Sequence, residues 1–293
     1  MMRHPGHGRR RPVASASNHA MMHAMTRRFA LLALLALPVP AGADPAPVAV
    51  QLTFDGYASG FRVLSMQTEM LLAPTGYRIA IAGRTAGMVG LLYHANWQTW
   101  ADGTWTASGI SPQHFDNAGV FGGQPRHVAL VFEHGEPVIR TLDPPDDTEH
   151  LPVTADAIRH AVDSLSITAL VIHQIATQGH CAGETVAFDG RQAEALTLRA
   201  AGGEDLPATT RSSWRGPTLR CDIDARVIAG FFREGDTEAS RNYVDTLWMG
   251  NVLPGVPPLP VRMTATTHHL GRVMLYLTKA TLRDAGTLTA RTP

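Results

Sequence analysis

From Val48 to Ile139, apolar side chains recur at every second position. Val48, Val50, Leu52 and Phe54 alternate with polar or small residues. Tyr77, Ile79 and Ile81 repeat the pattern, as do Leu91, Tyr93, Ala95 and Trp97, then Val128, Leu130 and Phe132. Successive side chains of a strand point to opposite faces, so this period predicts half-buried antiparallel strands. Turn chemistry stands between the runs: Pro74-Thr75-Gly76, Ala101-Asp102-Gly103 and Glu133-His134-Gly135-Glu136. Asp-Gly occurs at 55–56, 102–103 and 189–190. Glycine accepts positive φ there, so these aspartates are read as turn formers and not as catalytic acids. Beyond Cys181 the pattern resumes in Thr185–Phe188, Ala193–Arg199, Leu219–Ala225, Tyr243–Met249, Pro260–Thr267 and Arg272–Lys279. The expected fold is mainly β: a single antiparallel curved sheet or open barrel of roughly ten to twelve strands around one buried helix.

That helix interrupts the strands. A Pro-rich acidic connector, Leu142–Val153, carries Asp143, Asp146, Asp147 and Glu149 without the alternating oxygens and central glycine of a calcium loop. Then Leu165, Ala169, Ile172 and Ala176 fall on one helical stripe, widened by Leu170, Val171 and Ile175. A helix so apolar is a core helix, and too short to span a membrane. Helical structure is predicted over about 155–178, the preceding Thr154–Val162 being a shorter helix or turn. Asp163 is placed to cap the main helix and Gly179 to end it; losing the cap would cost about 1 kcal/mol.

Residues 1–43 read as a leader. Arg27-Arg28, the apolar run Phe29–Leu37 and the exit Ala41-Gly42-Ala43 have the form of a secretory signal peptide. Cleavage would leave 44–293 as a single β-rich periplasmic domain with no integral membrane span. The leader holds six of the 25 basic residues and no acid, so the remainder has 19 basic against 25 acidic residues, a net of −6. A mildly acidic chain lacks the basic footprint of a nucleic-acid binder. Cys181 and Cys221 match no redox or zinc spacing. In an oxidising compartment they are expected to form a structural disulfide, the alternative being two free buried thiols.

The chain offers little catalytic pattern. The nearest approach to a nucleophile elbow, Gly109-Ile110-Ser111-Pro112-Gln113, follows its serine with proline, which lacks the N–H that helps bind an oxyanion. His268 and His269 would point to opposite faces of a strand, a poor arrangement for one ion. His173 reads as a hydrogen-bonded core or surface histidine, not a ligand. Gly83, Gly87 and Gly90 lie between strands without dinucleotide spacing, so close packing or a strand bend accounts for them. No catalytic residue, cofactor or metal ligand is assigned. Tyr93, Trp97, Trp100 and Trp105 gather on one predicted hairpin. Tyr93, Trp97 and Trp105 are the candidate ligand-binding residues, with a hairpin core as the rival account.

Several stretches, taken in order, resemble domain-of-unknown-function family 3108, a family of exported proteobacterial proteins. They are YRIAIAGRTAGMVGLLY (77–93), SGISPQHF (108–115), VDSLSITAL (162–170), FDGRQAEALTL (188–198), GPTLRCDI (216–223) and LPVRMTATTHHLGRVMLYL (259–277). The resemblance spans about 50–280. It implies a periplasmic β-rich domain from a Gram-negative bacterium, and no established activity or catalytic residue to carry over. The Cys181–Cys221 spacing also looks like that of alphaproteobacterial members.

The functional expectation is a non-enzymatic periplasmic envelope protein, not lipid-anchored, holding an apolar ligand or envelope protein in the concavity of its sheet. One alternative is a cell-wall or polysaccharide hydrolase using Asp116, Glu133 and His114, which sit near predicted loop ends. Another is a structural subunit of an envelope complex.

Overall fold

A computed structural model describes residues 46–107, 109–145, 148–235, 237–267 and 270–286. The leader, Asp146, Asp147 and the His268-His269 pair lie outside the described residues. Thirteen strands form one antiparallel sheet. They are β1 (Val48–Ala58), β2 (Phe61–Ala73), β3 (Gly76–Thr85), β4 (Ala95–Thr106), β5 (Gly109–Phe121), β6 (Gln124–Glu133), β7 (Glu136–Asp143), β8 (Ala182–Phe188), β9 (Ala193–Leu206), β10 (Gly216–Ala229), β11 (Asn242–Gly250), β12 (Leu259–Thr267) and β13 (Gly271–Arg283). The helices are α1 (Gly87–Leu92), α2 (Ser164–Gln178) and the single turn α3 (Glu238–Arg241), with a 3-10 turn at Ala155–Ile158.

The spatial order is β7-β6-β5-β4-β3-β2-β1-β13-β12-β11-β10-β9-β8. Two up-and-down meanders, β1–β7 and β8–β13, are thus zipped together by the first and last strands, Val50 opposite Leu282 and Asp55 opposite Tyr276. The sheet curls into a nearly closed barrel whose free edges are β7 and β8. The chain between these edges closes much of the seam. Val162 forms a parallel bridge with Ala187. Arg191 donates to the carbonyls of Asp143 and Pro144 at 2.9 and 3.1 Å. Gly190 packs so closely on Val128 that a Cβ there would lie 2.2 Å from its Cγ1. The inner faces of both meanders meet in one core, including Leu52, Phe54, Ile79, Phe115 and Leu130, and α2 packs into it through Val171 and Ile172.

Thirteen strands exceed the expected ten to twelve because β2, β5 and β7 are not among the runs read from the sequence, and β5 in particular is nearly invisible to an apolar period. Its inward positions are Phe115, Asn117 and Gly119, opposite the inner-face residues Ala101, Thr99 and Trp97 of β4. The predicted turns at Asp55-Gly56 and Asp102-Gly103 are corrected: both pairs lie inside strands, at register shifts of the ladder. Gly103 stands opposite Pro112, and a Cβ on it would meet Tyr77 Oη at 2.6 Å. There glycine serves close packing and the proline occupies a bulge, where a missing donor is tolerated. Asp189-Gly190 does form a turn, with Asp189 accepting from the N–H groups of Arg191 and Gln192. The predicted strand from Leu91 is also corrected, since α1 covers Gly87–Leu92 and β4 starts at Ala95. Met88, Leu91 and Leu92 stand at i, i+3 and i+4, the helical spacing that a period of two conceals.

Candidate functional site

The inner face of the sheet is occupied by α2. Asp163, extended at φ −79°, caps it by accepting from the Ser166 N–H at 2.8 Å, and Gly179 ends it in the left-handed region at φ 76°. Ser166 Oγ also donates to Asp163, while Tyr77 Oη of β3 donates to Ser166 Oγ at 2.6 Å. This buried relay satisfies every polar group it contains, as a water-free interior requires. Burial pushes the Asp163 carboxyl up to about 6 even though the Ser166 donors pull it down. At the far end, Gln174 donates to the Ala182 carbonyl and accepts from the Ala182 N–H, tying helix to β8. Cys181 and Cys221 form a disulfide, Cα to Cα 6.0 Å, that joins the helix exit to β10.

The three aromatic candidates do not converge on one cleft. Trp105 stacks on His173 of α2, centroids 4.6 Å apart, and its indole N–H donates to the Ala73 carbonyl at 2.7 Å. It is a wedge between sheet and helix, and burial lowers the His173 pKa. Trp97 lies over Gly83, where a Cβ would come within 2.2 Å of the indole, and stacks on Phe121. Tyr93 ends α1 and packs on Gly122 of the β5–β6 turn. Eight residues of strand separate Trp97 from Trp105, about 26 Å at extended rise.

Of the hydrolase candidates, His114 and Asp116 share the outer face of β5 two residues apart, and Glu133 stands away from them at the end of β6. His114 pairs with Asp102 at 2.9 Å, Asp116 pairs with His127 at 2.8 Å, and Glu133 is held by Arg140 at the β6–β7 turn. On the inner side of β9, burial raises the Glu194 carboxyl to about 7, against the pull of the Tyr243 hydroxyl that donates to it at 2.6 Å. Among the described residues, no group of three or more His, Cys, Asp or Glu side chains is arranged to hold a metal ion.

The feature that departs most from an ordinary surface is α1. The Ala86 N–H donates to Val63 O at 2.8 Å, and Tyr93 N–H to Val89 O at 2.7 Å, which folds the β3–β4 connection into a six-residue knuckle against β2. Val89 packs inward on the core. Met88, Leu91 and Leu92 point outward, 72, 87 and 88 % exposed, and Phe61 at the neighbouring β1–β2 turn is 68 % exposed. Scattered surface leucines are ordinary, but a contiguous group marks a contact surface. The sequence signal for it was the i, i+3, i+4 spacing of Met88, Leu91 and Leu92 just after Gly87.

An antiparallel barrel-like sheet around an inserted helix, bearing an apolar knuckle on its rim, defines the class of this protein. The chain belongs to the family described as protein of unknown function (DUF3108), whose model matches residues 51–278. It is also similar in structure to a beta-barrel-like protein of domain of unknown function DUF1849 from Brucella abortus, at 13 % identity and a TM-score of 0.47, over 81 % of this chain and 98 % of that one. No curated protein matches the chain.

Proposed function

We propose that this chain is an exported periplasmic envelope protein that acts by binding, not by catalysis, and that it attaches through α1 to the surface of a lipid leaflet. The leader Arg27-Arg28, Phe29–Leu37, Ala41-Gly42-Ala43 supports export. The carrying observation is the outward group Met88, Leu91, Leu92 and Phe61, which supports an apolar contact at α1 in preference to the concavity that α2 occupies. Full burial of such a side chain contributes about 1.5–3 kcal/mol, so three or four give peripheral, reversible attachment. Segment 85–94, Thr-Ala-Gly-Met-Val-Gly-Leu-Leu-Tyr-His, contains no acid and follows Arg84, while nearby Arg62 is paired with Asp55 at 2.6 Å. That polarity suits anionic headgroups. Trp105 and Tyr77 serve the interior in this reading, and Asp102 and Asp116 on the outer face are paired with His114 and His127.

Flotation of mature protein with vesicles of phosphatidylethanolamine and phosphatidylglycerol tests the proposal. Wild-type protein is expected to float with the vesicles, and the Leu91→Ser/Leu92→Ser variant to stay behind with an unchanged melting temperature. Wild-type protein that ignores vesicles overturns lipid attachment and leaves the knuckle to a protein partner.

A further inference from the structure

The outer face of β2–β6 carries a second feature, separate from the knuckle. The ladder aligns Gln67, Ala82, Gln98, Ala118 and His127 in one row, and Glu69, Ala80, Trp100 and Asp116 in the next. Small side chains therefore run along β3, while long ones stand on β2 and β4 to either side. Neighbouring strands lie about 4.8 Å apart, so the two walls stand roughly 9.6 Å from each other. The resulting open groove has a volume of about 940 Å³. Along β3 the groove runs from Arg78 to Ala82, about 13 Å at extended rise.

The chemistry of the walls selects the occupant. Most charges in the groove are offset: Arg78 lies 3.5 Å from Asp102, Asp116 pairs with His127, and Glu69, which accepts from Gln51, shares the lining with the oppositely charged Arg283. The carboxamides of Gln67 and Gln98 face solvent and make no hydrogen bond among the described residues. Each offers both a donor and an acceptor, the complement of a hydroxyl or acetamido group. Trp100 stands half-buried beside them as an apolar wall, one face of its ring covered by the Arg78 guanidinium 4.5 Å from its centroid. A peptide that extends a sheet pairs with an edge strand, whereas β3 is hydrogen-bonded on both sides. We infer that this groove is a binding site for an uncharged glycan chain, laid along β3 between the glutamine and tryptophan walls.

Isothermal titration of the mature protein with chitohexaose, maltohexaose and xylohexaose, and with their monosaccharides, tests this. At least one hexasaccharide is expected to bind, with its monosaccharide silent. The Gln67→Ala/Gln98→Ala variant, altered only at exposed positions, should lose about tenfold or more in affinity at unchanged melting temperature. Trp100→Ala should weaken the same ligand, and Leu91→Ser/Leu92→Ser should leave it unaffected. The site is overturned if none of the three hexasaccharides binds at millimolar concentration, if binding survives both groove variants, or if the groove takes only an extended peptide.

Discussion

The Tyr77 hydroxyl donates to the Ser166 hydroxyl at 2.6 Å, and this bond fastens β3 to the first turn of α2. Ser166 passes the connection to Asp163, which is fully buried. The cap is therefore part of the core and not a surface fitting. An exposed cap is worth about 1 kcal/mol, whereas removing a buried acceptor strands donors at about 1–3 kcal/mol each. Asp163→Ala is expected to cost about 3 kcal/mol, Asp163→Asn much less, and Tyr77→Phe about 1 kcal/mol, read by urea denaturation. A loss no larger for Asp163→Ala than for Tyr77→Phe would mean that the relay does not act as a unit.

Two buried carboxyls set a pH dependence of stability. Asp163 is raised to about 6 and Glu194 to about 7, in both cases chiefly by burial. The folded chain holds these protons where the unfolded chain has released them, so their contribution is complete below the ordinary carboxylate range. It is lost as pH rises through about 6 and then about 7. Asp222 is shifted the other way, mainly by the hydrogen bond from Arg220, and its contribution is lost only on strong acidification. The melting temperature is expected to fall between pH 5 and pH 7.5. In Glu194→Gln the upper part of that fall should vanish, with a gain of about 1–2 kcal/mol at pH 7.5 because the amide oxygen still accepts from Tyr243. A Glu194→Gln profile parallel to wild type would exclude Glu194 as the source.

The disulfide closes a segment of 40 residues that contains β8, β9 and part of β10. Loop-closure entropy for such a length corresponds to about 4 kcal/mol. The double variant Cys181→Ala/Cys221→Ala should lose stability of that order in calorimetry, and reductant should lower the wild-type transition but leave the variant's unchanged. A reductant-insensitive wild type would mean that the bond contributes nothing to the fold.

Much of this architecture was legible because it rests on local rules. Alternation in Val48–Phe54 and Tyr77–Ile81 reports a sheet with one buried face, and Asp163 and Gly179 report the ends of α2 through capping chemistry alone. What escaped depends on partners distant in sequence. Gly103 reads as a turn residue until Tyr77 and Pro112 are seen against it. Strand β5 lacks an apolar period because Asn117 on its inner face hydrogen-bonds Thr99 of β4 at 2.9 Å. Trp105 looked like a ligand platform because nothing local shows that His173, 68 positions away, stacks on it. The knuckle escaped for a different reason: Met88, Leu91 and Leu92 follow a helical period too short to override the strand pattern on either side.

Seating of α1 in a lipid leaflet is tested most directly by placing an indole on the knuckle. Leu91→Trp, with the signal of the native tryptophans subtracted, should shift its emission to the blue on adding phosphatidylethanolamine–phosphatidylglycerol vesicles, and brominated acyl chains should quench it. Ile139→Trp, on the free edge β7, should do neither. Emission from position 91 that is the same with and without vesicles would contradict attachment through α1.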